Sequence, residues 1–416
     1  MVVRPYTYVL KEGVPSLWTV RVFGWVEKRK VSFHRIIFLD IKGRAYFGHF
    51  FNDLESKIMN FNGNVTLIDP AVDTRWDAYV ESHPFGWITH LSDWKRILEK
   101  SFQHMKGYYL VLMDKRTESI RAALPLFEVK SWIAGHRLVS IPFATLSDPL
   151  VSSQEDMEEL FDAAIHLSKE LKTKHIEIRT FRSFSMIKED RFAIDNSFKH
   201  HYLTLKSEPE ILMRTFHRTC TRQRIARALS SNLCLKIGQG ELDLVSFYKI
   251  YSGTRKRIGL PPQPYIFFKS MWEILSPSRR LVILLAEKGN RPVAGLILFR
   301  FKDRVSAEYA GSNEEYKEVS PNHFLFWEAI KIAYNEGCKL FDFGRTSVRN
   351  ETLMDFKSRW GTETTSLPIC YYPKTICEEA TEREESISYR IMGALCRRVP
   401  DSVLAAIGNF SYRHLG

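Results

Sequence analysis

Phe341-Asp342-Phe343-Gly344-Arg345-Thr346, with Phe356-Lys357-Ser358-Arg359-Trp360-Gly361 a short way beyond, is where the chain is most readable. Leu353, Phe356, Lys357 and Trp360 stand at i, i+3, i+4 and i+7, the spacing of one helix face, with Asn350 placed as N-cap and Gly361 as the residue that ends it. Three of those four positions are apolar, so the face is expected to pack inward, and the fourth is a lysine. Two readings of Lys357 stay open. Its stem snorkels along the core or pairs with an acid, or it borders a solvent-lined cleft and meets an anionic substrate group. Upstream, Lys339–Arg345 reads as a short buried strand that ends in glycine, which puts Asp342 and Arg345 near a strand end, where sites are commonly built.

Working outward, the pattern predicts a helix from Ser92 to Phe102, strands at Tyr108–Met113, Ser119–Val129 and Arg137–Ile141, a helix over Glu155–Leu171 and a strand at Ile176–Arg179. The second half repeats that order. A helix over Leu244–Ile258 precedes strands at Leu281–Glu287, Val293–Phe301 and Val305–Ala310. A helix opening at Ser320-Pro321, with serine as cap and proline at its first position, leads to a strand at Leu340–Phe343. Ala123-Leu-Pro-Leu-Phe127 aligns with Gly295-Leu-Ile-Leu-Phe299, and Ile176-Glu-Ile178 with Phe341-Asp-Phe343, at an offset of about 170 residues. Two copies of one α/β unit is the economical reading. The expected organisation is a small β-rich extension over residues 1–64, α/β domains over 65–205 and 206–373, and a helical tail over 374–416. Residues Glu378–Glu385 read as a solvated acidic run.

A chain of 416 residues exceeds one ordinary domain, and 44% hydrophobic content with 13% aromatic residues excludes a largely disordered protein. The net charge of +12 favours an anionic partner: a nucleic acid, a phosphorylated small molecule or a membrane surface. Six scattered cysteines without a C-x-x-C pair read as reduced packing residues of a cytoplasmic protein. His83, His323 and the His200-His201 pair lack metal-ligand spacing, so they are read as packing or surface residues. No basic-then-apolar leader and no long apolar run is visible, so a soluble chain is expected. The basic, amphipathic C-terminal tail is expected to pack on the body, with contact to the inner face of a membrane left open.

Trp76-Asp77, His83-Pro84, Arg218, Arg222 and Arg227, Thr254–Pro261, Pro321-Asn322, Phe341–Arg345 and Phe356-Lys357, taken in order, resemble the FemAB-like branch of the GNAT acyltransferase superfamily from about Val65 to Tyr372. The resemblance implies two tandem GNAT-like domains sharing a cleft. It also implies a transferase related to those that move an amino acid from aminoacyl-tRNA to the amine of a peptidoglycan precursor, or to proteins of polysaccharide and cell-envelope synthesis. Two departures bear on the donor. The long helical arm of some relatives has no counterpart between Ser207 and Ser276. The Q/R-x-x-G-x-G/A loop that takes coenzyme A is missing.

Arg214, Arg218 and Arg222 fall at i, i+4 and i+8, and like charges so placed call for a counter-anion, either acidic side chains or a substrate phosphate. Acyl transfer to an amine requires a deprotonated amine, stabilisation of the tetrahedral oxyanion and protonation of the leaving group. No G-x-S-x-G elbow or Cys/His pairing is present, which favours direct attack over an acyl-enzyme. The candidates are Lys357 for the oxyanion or a donor phosphate, Asp342 for the incoming amine, and Arg345, Arg218, Arg222, Tyr309 and Asn322 for binding. Asp342 and Arg345 could instead form a structural salt bridge with each other. No cofactor or metal is expected. The acyl donor is left open between aminoacyl-tRNA and acyl-CoA, and a non-catalytic binding protein of envelope-polymer assembly is the remaining class.

Overall fold

The computed structural model describes residues 64–132, 135–376 and 387–414, together with four strands within residues 1–60. Those strands, β1 (Tyr6–Tyr8), β2 (Thr19–Glu27), β3 (Lys30–Leu39) and β4 (Ala45–Tyr46), form an antiparallel sheet in sequence order, the expected β-rich extension. The acidic run Glu378–Glu385 lies outside the described residues.

The rest of the chain builds two seven-stranded sheets. Strands β5 (Val65–Ile68), β6 (Met105–Met113), β7 (Ile120–Ser131), β8 (Gly135–Ser140), β9 (His175–Arg179) and β10 (Ala193–Asp195) belong to the first. Strands β11 (Phe198–Thr204), β12 (Cys234–Ile237), β13 (Leu281–Lys288), β14 (Arg291–Phe301), β15 (Arg304–Ser312), β16 (Leu340–Ser347) and β17 (Glu363–Ser366) make the second, and β18 (Ile369–Tyr372) returns to the first. The orders correspond: β5-β6-β7-β8-β9-β18-β10 in one, β12-β13-β14-β15-β16-β11-β17 in the other. Each sheet has one parallel pair, β8 with β9 and β15 with β16, and each pair is joined by a helix, Gln154–Leu171 in the first and Pro321–Asn335 in the second.

Before and between these strands run α1 (Arg75–Ser82), α2 (Ser92–Ser101), α3 (Gln154–Leu171), α4 (Gln223–Leu229), α5 (Glu241–Arg257), α6 (Tyr265–Leu275), α7 (Pro321–Asn335) and α8 (Glu351–Ser358). The aligned segments found in the sequence occupy matching places, Ala123 and Gly295 in the third strand, Ile176 and Phe341 in the strand after the crossover helix.

The halves do not separate at 205/206. Strand β11 precedes that point yet pairs antiparallel with β16, while β18, from the end of the second half, pairs antiparallel with β9. Each sheet therefore borrows a strand from the other half. Sequence periodicity places strands but carries no information on which distant edge they join, so this exchange is a tertiary result.

Packing follows the same plan. Trp94 on α2, fully buried, meets Phe267 of α6 and Phe299 of β14 with ring centroids 6.0 and 5.7 Å away, and Phe102 meets Phe267 at 5.4 Å. One apolar core thus runs from the first half into the second. The tail helices α9 (Ile387–Arg398) and α10 (Asp401–Ser411) lie against the body: Ser131 Oγ is 3.1 Å from His414 Nδ1, Arg255 Nη2 donates to Tyr412 Oη (3.3 Å), and Lys256 pairs with Asp401 at 2.8 Å. Among the described residues, no helix is long and apolar enough to cross a membrane.

A shared core and exchanged strands predict one cooperative transition for residues 64–414. Trp94→Ala should cost about 3–5 kcal/mol, with urea curves from fluorescence and far-UV circular dichroism remaining coincident. Two resolved transitions in that variant would show that the halves fold independently.

Candidate active site

The site grows out of the second parallel pair. Strands β15 and β16 are in register at Arg304↔Leu340, Val305↔Phe341 and Ser306↔Asp342, then stop pairing although both continue. The edge of β16 that faced β15 is left with the carbonyls of Gly344 and Arg345, while β11 holds its other edge. Buried carbonyls require donors. Lys357 supplies them, its Nζ donating to Gly344 O and Arg345 O at 3.0 Å each.

Helix α8 delivers that ammonium as its sequence implies. The Asn350 side chain accepts from Leu353 N (3.1 Å), and Gly361 takes φ +69° just past the end. Lys357 and Trp360 are the buried members of the stripe, Phe356 is half-buried and Leu353 lies at the surface. Of the two readings, the lysine neither snorkels nor pairs with an acid; it caps a strand edge.

Glu308 is the residue the motifs did not pick out. It sits on β15 two residues past the last parallel pair, half-buried. Thr145, from the loop after β8 in the first half, donates to Glu308 Oε2 at 3.1 Å, and Ser306 Oγ donates to Oε1. Burial raises its carboxyl to about 7; the Ser306 and Thr145 hydroxyls and Lys357 oppose the shift, and Asp342 adds to it. Burial lowers Lys357 to about 8, with Asp342 and Glu308 restraining the fall. An acid and a base with values close to neutrality are suited to proton transfer and charge stabilisation on a bound substrate. A signal was available: Arg304, Ser306 and Glu308 alternate on one face of a strand whose other face is apolar.

Asp342, expected to meet an incoming amine, lies behind this pair. It is 1% exposed, with Oδ1 2.8 Å from His200 Nε2 and accepting from Gly344 N at 2.6 Å, and with Oδ2 3.7 Å from Arg304. Burial pushes its carboxyl up, but His200, Arg304 and the Gly344 N–H together hold it below the usual value. It does not pair with Arg345, whose guanidinium instead lies over the Phe198 ring, 4.9 Å from the centroid. His200 is thus not a surface residue; it is buried with its ring against the Asp342 carboxyl.

The other expected binding residues are not gathered here. Tyr309 is buried and packs in the core, its ring centroid 5.0 Å from that of Phe268, with burial raising its hydroxyl well above the usual value. Asn322, in the first turn of α7, donates to Ser312 Oγ at 3.1 Å, four residues or roughly 13 Å along β15 from Glu308.

Arg218 and Arg222 bound a π-helical turn that precedes α4, and Arg214 belongs to a separate turn, so the three do not share one helix face. The break is at Phe216-His217, where Phe216 buries against Trp327 and Trp360 and His217 N donates to Arg359 O (2.8 Å). Arg218 is exposed and Arg222 half-buried. Among the described residues, none of Arg214, Arg218, Arg222, Arg224 and Arg227 forms an ion pair, and no three His, Cys, Asp or Glu side chains converge to hold a metal ion.

Residues 216–358 match the family described as an acetyltransferase (GNAT) domain. The fold is similar to that of FemX, with a TM-score of 0.61 and 15% identity over 77% of this chain and 99% of FemX. It is also similar to L-PGS from Bacillus licheniformis, with a TM-score of 0.50 and 10% identity over 78% of this chain and 98% of that one. A tandem GNAT protein from the clavulanic acid biosynthesis pathway aligns at a TM-score of 0.49 and 9% identity, over 74% and 97% of the two chains. No curated protein matches the sequence. The architecture is that of two tandem GNAT-like domains with an N-terminal β-rich extension and a C-terminal helical tail.

The Glu308 carboxyl should titrate near 7 when followed by carbon-detected NMR of labelled glutamate. Thr145→Val removes a hydrogen bond that favours the carboxylate, so it should move that midpoint upward by about half to one unit. A midpoint that stays put or falls would separate Thr145 from the carboxyl.

Proposed function

We propose that this chain transfers an acyl or aminoacyl group to an amine of a cell-envelope or polysaccharide precursor, by direct attack of that amine in the cleft where the two halves meet. The observation that carries the reading is the convergence of Glu308, Lys357 and Thr145 where β15 and β16 part. In this scheme an amine that has lost one proton to solvent approaches Glu308. Its nitrogen lone pair forms the bond to the acyl carbon while the carbonyl π pair moves onto oxygen. Two of the three Lys357 N–H donors are spent on carbonyls, which leaves one for the oxyanion. Glu308 takes the second proton from the attacking nitrogen and passes it to the leaving group, which departs with the electron pair of the broken bond. Asp342 and His200 act as positioning residues behind Gly344.

The acetyltransferase (GNAT) domain match supports acyl transfer, and the sequence resemblance to FemAB-like proteins supports an envelope precursor as acceptor. Arginines 214, 218, 222, 224 and 227, without acidic partners, favour a polyanionic donor such as aminoacyl-tRNA over acyl-CoA, and a cytoplasmic setting. One observation favours a binding protein without turnover: Lys357 is only 6% exposed. The pairing of a carboxyl near 7 with an ammonium near 8 favours the enzyme.

Four outcomes follow, with turnover checked by mass-spectrometric transfer assays with candidate donors, stability by urea unfolding and donor binding by calorimetry. Glu308→Gln is isosteric and leaves stability nearly unchanged, yet should slow turnover by roughly 10²-fold or more. Lys357→Met should do likewise and, by orphaning two carbonyls, also lower stability by about 1–3 kcal/mol. Wild-type kcat/KM should rise as Glu308 loses its proton near pH 7 and fall as Lys357 loses its own near pH 8. The rising limb should vanish in Glu308→Gln. Full activity in that variant would overturn the assignment. Replacing Arg218 and Arg222 with Ala should weaken donor binding and flatten its salt dependence if the donor is polyanionic.

A further inference from the structure

The parallel pair of the first sheet parts in the same way as that of the second. Its register ends at Val139↔Glu177, and beyond it Arg179 N donates to Ser140 Oγ at 2.9 Å instead of to a neighbouring strand. The two openings lead to one small pocket open to solvent, lined from the first half by Thr145, Ser147, Arg179 and Phe181 and from the second by Phe198 and Arg345. Two guanidiniums line it. Arg179 gives Nε and Nη2 to Glu177 Oε1 at 3.0 and 2.9 Å, so its charge is largely matched. Arg345 is not matched. It rests on Phe198, and none of its five N–H donors has an acceptor among the described residues.

A half-buried guanidinium with no acid beside it has water as its only partner until a ligand completes it. Burial together with the Arg179 charge lowers it to about 10. Of the remaining walls, Leu146, Leu367 and Ile369 are apolar, and the Thr180 hydroxyl is spent on Pro368 O at 3.0 Å. Thr145 belongs both to this cavity and, through its bond to Oε2, to Glu308. Lys357 holds the backbone carbonyl of Arg345. The cavity therefore adjoins the reacting groups.

We propose that this cavity is a carboxylate subsite, in which Arg345, backed by Arg179, grips an acid group that the acceptor carries close to its reacting amine. The inference rests on the acyl-transfer reading of Glu308 and Lys357, and it names the acceptor class: an α-amino acid or a peptide-like unit with a free carboxylate beside the amine. A carboxylate is favoured over a phosphate because one unmatched guanidinium balances one negative charge. A phosphate dianion would leave a second charge among Leu367, Ile369 and Phe198.

The test measures binding apart from turnover, on the full chain at constant ionic strength, by calorimetry or ligand-observed NMR. The probes are L-alanine, its amide, ethylamine and inorganic phosphate. Alanine should bind roughly 10–100-fold more tightly than its amide or ethylamine, the loss expected for an uncompensated charged hydrogen bond. Phosphate should not displace it. Arg345→Gln should erase the preference, and Arg345→Met, which keeps contact with Phe198, should do the same, so that a packing defect is separated from lost charge. Glu308→Gln should keep it. Equal binding of alanine and its amide, an unchanged preference in both Arg345 variants, or tighter binding of phosphate would each overturn the carboxylate subsite. If the preference holds but no donor yields transfer, the subsite stands and the acyl-transfer reading falls. If transfer occurs equally well to amines lacking a carboxylate, the transfer reading stands and the subsite falls.

Discussion

Two parallel strands that stop pairing while both continue create a demand that the rest of this site meets. Past Ser306↔Asp342 the carbonyls of Gly344 and Arg345 have no strand opposite them, in a region too buried for water to compensate freely. A lysine answers where a neutral donor could have served, and its charge has consequences. Lowering Lys357 from its ordinary value to about 8 corresponds to roughly 3 kcal/mol of burial cost that nearby Asp342 and Glu308 do not fully offset. That residual cost makes the proton on Lys357 easier to part with than one on a surface lysine. A strand edge has thereby become a reactive group.

Glu308 is the mirror of this arrangement. Its carboxyl is held near 7 by burial, and the hydroxyls of Ser306 and Thr145 keep it from rising further. Asp342 is a carboxylate a short distance away in a site at least as deep, yet it is held low because His200, Arg304 and the Gly344 N–H all favour its ionised form. Two acids of nearly the same intrinsic strength are thus pushed apart by their partners. One stays charged and structural, the other sits near neutrality and is available for proton transfer.

The local features were legible because they depend on neighbours in sequence. Asn350 caps α8, Gly361 ends it, and Lys357 stands on its buried stripe, as the i, i+3, i+4, i+7 spacing indicates. The paired architecture was legible too, since a repeated order of helices and strands survives the loss of identity. What escaped was everything set by contacts across the chain. The exchange of β11 and β18, the reach of Thr145 to Glu308 and the sharing of one cavity by Arg179 and Arg345 leave no periodic trace. The arginine face failed for a different reason. The i, i+4 spacing from Arg214 to Arg222 is helical, but burial of Phe216 against Trp360 outweighs local helix preference and breaks the chain there.

The dependence on distant contacts has a further consequence for how the site is kept in shape. Thr145 comes from the first half and Glu308 from the second, so the hydrogen bond that tunes the carboxyl exists only while the halves keep their relative position. Three devices hold that position: the exchanged strands, the Trp94–Phe267–Phe299 core, and the C-terminal tail. The tail reaches both sides, since Arg137 of β8 donates to His414 O at 3.3 Å while Lys256 and Arg255 of α5 hold Asp401 and Tyr412. Exposed ion pairs such as Lys256–Asp401 are each worth little, whereas the buried end at Leu404, Tyr412 and His414 is not so easily released. The tail therefore straps together the two halves that contribute Thr145 and Glu308 to one hydrogen bond.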